Sequence, residues 1–203
     1  MDYIKKFLSE SKFIVDHLNI EAINHAVEYL LKIRNNVGRL FILGVGGGAG
    51  HASHAVNDFR KIAGFEAYSP TDNASELTAR INDDGWDTCF QRWLKGSRLN
   101  KKDGLLIFSV GGGDLINQVS INIVNSLKYA KEIGSTIIGI VGHRGGYTAQ
   151  VADVCIKIPS VYKETVTPQT EAFQAIIWHL LVSHPAIQQN EMKWESILEK
   201  ESC

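Results

Sequence analysis

Three short runs, "RLFILG" (39–44), "GLLIFSV" (104–110) and "TIIGIVG" (136–142), constrain this chain more than anything else in it. Each is almost wholly apolar, rich in β-branched residues, meets glycine at its end, and is followed by a segment of helical character. A half-exposed strand would alternate polar and apolar residues, so continuous apolar runs mark strands buried on both faces. Such strands alternating with helices are βαβ units, which assemble into a parallel sheet with helices on both sides. A weaker run, "VCIKIP" (154–159), predicts a fourth strand, and "FEAYSP" (65–70) a fifth.

The remaining segments read as helices. In residues 2–35, Ile14, Leu18, Ile23, Val27, Leu30 and Leu31 recur at three- and four-residue steps, predicting two helices with Asn19 capping the second. Residues 73–98 predict two more around "INDDGW", and their Leu77, Ile81, Trp86, Phe90, Trp93 and Leu94 require a surface to pack on. A long last helix starts near Pro168, a residue suited to a first turn, and ends at Pro185. The tail, 186–203, predicts a more polar helix. No Pro/Gly/Ser-rich linker divides the chain, so a single domain over 1–203 is expected, with N-terminal helices (1–35) and a C-terminal helical tail.

A net charge of −1 offers no electrostatic case for nucleic acid or a membrane surface. There is neither an apolar run of about 18 residues nor a charged leader, so a cytoplasmic location is expected. Cys89, Cys155 and Cys203 are scattered, which suits a reducing compartment better than a disulfide framework. Cys155, inside "VCIKI", reads as core and not as a nucleophile.

Two glycine clusters, "GVGGGAG" and "SVGGGD", fall at strand carboxyl ends, where open parallel sheets bind ligands. Bare backbone and the amides of a following helix favour an anion such as phosphate; a tight turn alone would use the same residues. The dinucleotide spacing and the P-loop lysine are both absent. After the first cluster, His54 and Asp58 lie four apart on one helical face, close enough to share a metal or simply to hydrogen-bond each other. Glu171 and His179 lie eight apart in the last helix, about 12 Å along its axis, with the small Ala175 between them.

In order and spacing, "GVGGGAGHASHAVNDF", "TDNASELTARINDDGW", "GLLIFSVGGGD", "IIGIVGHRGGYTAQVADVCIKIP" and "TEAFQAIIWHLL" resemble the sugar isomerase (SIS) family, nearest its phosphoheptose isomerase branch. The resemblance runs over roughly residues 10–183. It implies a flavodoxin-like, three-layer α/β/α sandwich on a five-stranded parallel sheet, in a homotetramer with active sites between subunits. It implies an aldose–ketose isomerase interconverting D-sedoheptulose 7-phosphate and D-glycero-D-manno-heptose 7-phosphate through an enediol(ate). His54 and Asp58 stand where the family places a histidine and a glutamate, and Glu171 and His179 where it places a glutamine and a histidine. Those four are the expected ligands of zinc or another divalent metal, with Asp58 and His179 as the proton carriers. Asn82 and Asp83 match an Asn-Asp pair near the sugar.

The glycine loops depart from the family pattern. Its G-N-G-G-S becomes Gly44-Val45-Gly46-Gly47-Gly48, and its S-T-S-G-N-S becomes Ser109-Val110-Gly111-Gly112-Gly113-Asp114, keeping only the Ser109 hydroxyl. Gly46, Gly47, Gly48, Ser109, Gly111, Gly112 and Gly113 are therefore expected to bind substrate largely through backbone amides, which hold anions unaided. Arg60, Lys61 or Lys163 would add charge, and Asp114, if it turned inward, would oppose it. The missing hydroxyls also admit an isomerase or epimerase of a different or unphosphorylated sugar. A non-catalytic SIS scaffold or sugar-phosphate sensor is the third reading, and four retained ligands count against it.

Overall fold

The computed structural model describes residues 2–201, with side chains through 197; Cys203 lies outside the described residues. All five expected strands form: β1 (Leu40–Gly44), β2 (Ala67–Tyr68), β3 (Gly104–Ser109), β4 (Thr136–Gly142) and β5 (Val154–Ile158). They pair in parallel throughout, in the order β2-β1-β3-β4-β5. This is the flavodoxin-like order, whose direction of winding reverses between β1 and β3 and opens a crevice at their carboxyl ends.

The alternation of side chains along each strand builds two cores from one sheet. Leu40, Ile42, Leu106, Phe108, Ile138 and Ile140 face one side, packed by α2 (Ile20–Asn35), α3 (Gly47–Lys61) and α8 (Val166–Ser183). Phe41, Leu43, Leu105, Ile107 and Ile137 face the other, under α5 (Cys89–Gly96), α6 (Ile121–Ile133) and α7 (Gly146–Val151). The result is a three-layer α/β/α sandwich. Helix α1 (Tyr3–Asp16) adds Ile14 to the first core, and Asn19 caps α2 by accepting from the Ala22 amide. At the amino edge, buried Asp103 accepts from the Arg39 amide and guanidinium, joining the starts of β1 and β3.

Two helices differ from the sequence expectation. Phe90, Trp93 and Leu94 of α5 are buried, yet α4 (Ala74–Asp84) buries none of its residues and Trp86 stands 44% exposed. The tail is helical only in α9 (Lys193–Glu201). Before it, Ile187 is buried and the Gln189 and Asn190 amides donate to the Ile62 carbonyl, so docking onto α3 holds this stretch out of a helix.

Candidate active site

Helix α3 leaves β1 through the first glycine cluster. Gly48 packs so closely on β3 that a Cβ would stand 2.7 Å from the Phe108 carbonyl oxygen, which keeps α3 tight against the crevice. Gly46 and Gly47 are exposed at its first turn. The helix then aims His51, His54 and Asp58 toward α8, at steps of three and four residues.

His54, Asp58 and His179 bring one ligand atom each within 4.8 Å of one another. The Nε2 atoms of His54 and His179 both lie 3.5 Å from Asp58 Oδ2. Asp58 is 6% exposed and held at both oxygens: Asn57 Nδ2 donates to Oδ1 at 2.9 Å and the Trp178 indole to Oδ2 at 3.3 Å. His179 Nδ1 lies 2.8 Å from the Ala175 carbonyl. A carbonyl only accepts, so Nδ1 carries the proton and Nε2 turns its lone pair toward the cluster. A lone pair turned toward a carboxylate is repelled unless a cation or proton joins them. Around a tetrahedral zinc, with bonds of about 2.0–2.2 Å, ligand atoms stand about 3.3–3.6 Å apart, so this donor set fits a divalent metal.

Beneath the cluster lies Trp178, 2% exposed, with ring centroids 4.9 Å from His51, 5.4 Å from His54 and 4.8 Å from His179. Glu171 stands apart from the three: its carboxylate lies over Gly47, where it would clash with any Cβ. His51 was not singled out by its sequence spacing to a ligand set, although 51, 54 and 58 fall on one helical face. Burial pushes its imidazole below the usual histidine range, against the pull of the Glu171 carboxylate. The site thus has a His54/Asp58/His179 cluster and a neighbouring His51/Glu171 pair, on the aromatic floor of Trp178.

The other expected site residues lie elsewhere. Asn82 and Asp83 are exposed on α4 and pair with each other, Asn82 Nδ2 donating to Asp83 Oδ1 at 2.7 Å. Ser109 Oγ accepts from the Gly112 amide at 3.0 Å. The Gly112 carbonyl accepts from Thr148, and that of Gly113 from the Tyr147 amide, so this run is bolted to α7. Asp114 turns its carboxylate into its own loop, accepting from the Ile116 and Asn117 amides, and Asn117 holds it below the usual carboxylate range. Arg60 donates to the Ala67 carbonyl, away from the glycine runs. The Cys155 thiol is pushed up to about 11 by burial, which leaves it protonated and a poor nucleophile at neutral pH.

A family model for the SIS domain matches residues 2–142. The chain belongs to the SIS-domain family. Among curated members, a phosphoheptose isomerase of Rhodospirillum rubrum is 32% identical over 149 residues, covering 71% of this chain and 73% of that protein. The lincomycin biosynthesis protein LmbN of Streptomyces lincolnensis is 29% identical over 192 residues, 89% of this chain and 68% of that one. The solved phosphoheptose isomerase GmhA of Neisseria gonorrhoeae superposes with a TM-score of 0.76 at 24% identity, covering 88% of this chain and 94% of that one. The fold of this SIS chain, with its β2-β1-β3-β4-β5 order, is thus shared with a phosphoheptose isomerase, and its sequence falls in that branch.

Proposed function

We propose that the protein is a metal-dependent aldose–ketose isomerase that converts D-sedoheptulose 7-phosphate to D-glycero-D-manno-heptose 7-phosphate, within cytoplasmic heptose biosynthesis. The observation that carries this reading is the convergence of His54, Asp58 and His179 between the helices α3 and α8 that pack one face of a phosphoheptose isomerase-like sheet. Those three, with Glu171 completing the set, would hold zinc or another divalent cation, which would polarise the sugar carbonyl.

The reaction moves one proton from C1 of the ketose to C2, through an enediol(ate), and shifts a hydroxyl proton between O1 and O2. His179 is suited to the carbon proton: its Nδ1–H is fixed on Ala175, so Nε2 is the atom that takes and returns it. Among the described residues Asp58 Oδ1 accepts only from Asn57, and it is the better placed oxygen to carry the hydroxyl proton. Trp178 holds the other oxygen still and, with Phe108 at 5.5 Å, gives the site an apolar floor that excludes water from below. From above none of the described residues does: the His54 and His179 side chains are 56% and 51% exposed. Ile176 (47%) and Leu180 (39%) flank His179 on the same helix and are also exposed. A homotetramer with sites between subunits would cover all four at once, and we include it in the reading.

The test is turnover of sedoheptulose 7-phosphate by protein stripped with chelator and then reloaded with zinc. Activity lost on stripping and restored by zinc is the expected result; zinc-loaded, folded protein that leaves the ketose untouched would overturn the substrate. The hydroxyl-poor glycine runs and the likeness to a lincomycin biosynthesis protein favour a second reading, the same chemistry on a different sugar.

A further inference from the structure

Helix α3 presents three polar side chains on the face that meets α8, and the His54/Asp58/His179 cluster uses only two of them. His51 precedes His54 by three residues and Asp58 by seven, which keeps it on that face. Its ring is half-buried and fixed by packing, 4.9 Å from the Trp178 ring and 6.1 Å from that of Phe108. Its nitrogens are less well served. His17 and His179 each set a ring nitrogen against a backbone carbonyl, and His184 accepts from an amide. Beside His51, among the described residues, stand the backbone carbonyl and the carboxylate of Glu171. Both are acceptors. A neutral imidazole offers one N–H and one lone pair, so Glu171 can serve the N–H, and the lone pair of the other nitrogen is left without a donor.

The helix beside that ring is bare. Gly50 lies inside α3 and is exposed, its φ is not positive, and a Cβ there would meet nothing within 4 Å. Glycine weakens a helix relative to alanine, and none of the described residues requires it here. Gly46, Gly50 and His54 are spaced by four, so bare backbone runs along α3 from its first turn to the cluster. The Glu171 carboxylate closes the far end, over Gly47. The start of its helix is held from α1: buried Glu10 accepts from the Val161 and Tyr162 amides and the Thr165 hydroxyl, and Gln169 donates to the Phe7 carbonyl. Along the α3 axis His51 stands about 4.5 Å from His54, the length of about three carbon–carbon bonds. A ketose whose carbonyl lies at the cluster therefore carries its C4 and C5 hydroxyls past the His51 ring.

We infer that His51 is a specificity-determining residue of this site: its unpartnered ring nitrogen accepts a hydrogen bond from the C4 or C5 hydroxyl of the open-chain sugar, which lies along the bare face of α3. The inference rests on the sugar-isomerase reading above. It is tested with zinc-loaded, full-length protein, by calorimetry with the sugar already equilibrated and by steady-state turnover of sedoheptulose 7-phosphate. His51→Phe keeps a ring against Trp178 and Phe108 without the lone pair, and is expected to weaken binding and raise KM about tenfold. His51→Gln restores an acceptor and should recover part of the loss. Gly50→Leu, which fills the bare face, should weaken binding at least as much as His51→Phe. Zinc affinity, read by competition with a chromogenic chelator, should stay within about twofold of wild type in all three, a result that support of the cluster alone would not give. Either the 4-deoxy or the 5-deoxy ketose phosphate should cost wild type the same factor and His51→Phe nothing further. Unchanged sugar binding by His51→Phe, a parallel loss of zinc affinity, or an undiminished penalty for both deoxy sugars in that variant would each overturn the contact, and an active wild type would then leave the isomerase standing. Wild type that binds the ketose without converting it, with binding weakened in His51→Phe, keeps the contact and removes the reaction. Wild type that does not bind the ketose removes both.

Discussion

Asp58 is the residue on which the cluster turns, because His54, His179, Asn57 and Trp178 are all arranged around that one carboxylate. It is buried, yet it faces two imidazole Nε2 atoms and accepts from an indole and an amide. Asp58→Asn would replace a charged acceptor by a neutral amide of nearly the same shape, and His179→Ala would remove from an exposed position the Nε2 proposed to carry the proton. Both variants should keep a wild-type circular dichroism spectrum and lose about 10²–10⁴-fold in kcat for sedoheptulose 7-phosphate. Rates near wild type would remove these residues from the mechanism. Trp178→Phe tests a subtler effect. The ring floor is retained, but the N–H that orients Oδ2 is gone, and groups that orient a ligand are typically worth about 10–100-fold in metal affinity. Competition with a chromogenic chelator should show a loss in that range; unchanged affinity would reduce Trp178 to packing.

Among the elements, β1, β3 and β4 were legible from their short apolar runs bounded by glycine, since burial on both faces removes the polar alternation; β2 and β5, with exposed Tyr68 and Lys157, left the weaker signals. From spacing alone the metal-type cluster was legible only as two pairs, His54 with Asp58 and Glu171 with His179, which the family resemblance joined into one set; periodicity gives the face of each helix but not the angle at which two helices meet, and the structure groups only His54, Asp58 and His179. The contact between Trp178 and Asp58, 120 residues apart, therefore left no local trace. The glycine runs show a different limit. A glycine that packing demands and one that it does not are the same letter, and only the backbone separates Gly112 from Gly111. Gly112→Ala should accordingly be costly. A side chain at φ +73° is strained, and this one would also push the β3–α6 turn off the start of α7. Urea denaturation should report a loss of about 1–3 kcal/mol, the typical cost of forcing a non-glycine residue into such a conformation; stability within about 0.5 kcal/mol of wild type would contradict the packing role.

For the whole molecule, the exposed apolar residues beside His179 set the question. A monomer would leave Ile176, Leu180 and two histidines facing solvent, and a carbonyl polarised there would compete with bulk water. Light scattering should find a particle of about four times the 22.5 kDa subunit. Leu180→Glu should shift it to smaller species and remove turnover together with assembly, whereas an active monomer would separate the two. One tie across the molecule has a bearing on time as well as on shape. Glu10 is bonded to residues 151, 152 and 155 positions further along the chain. At ribosomal speeds of about 5–20 residues per second, roughly 8–30 s pass between the emergence of that carboxylate and the arrival of its partners. Through that interval the first helix waits with its anchor hydrated, and the loop of residues 161–165 can take its final form only after nearly all of the sheet has been made.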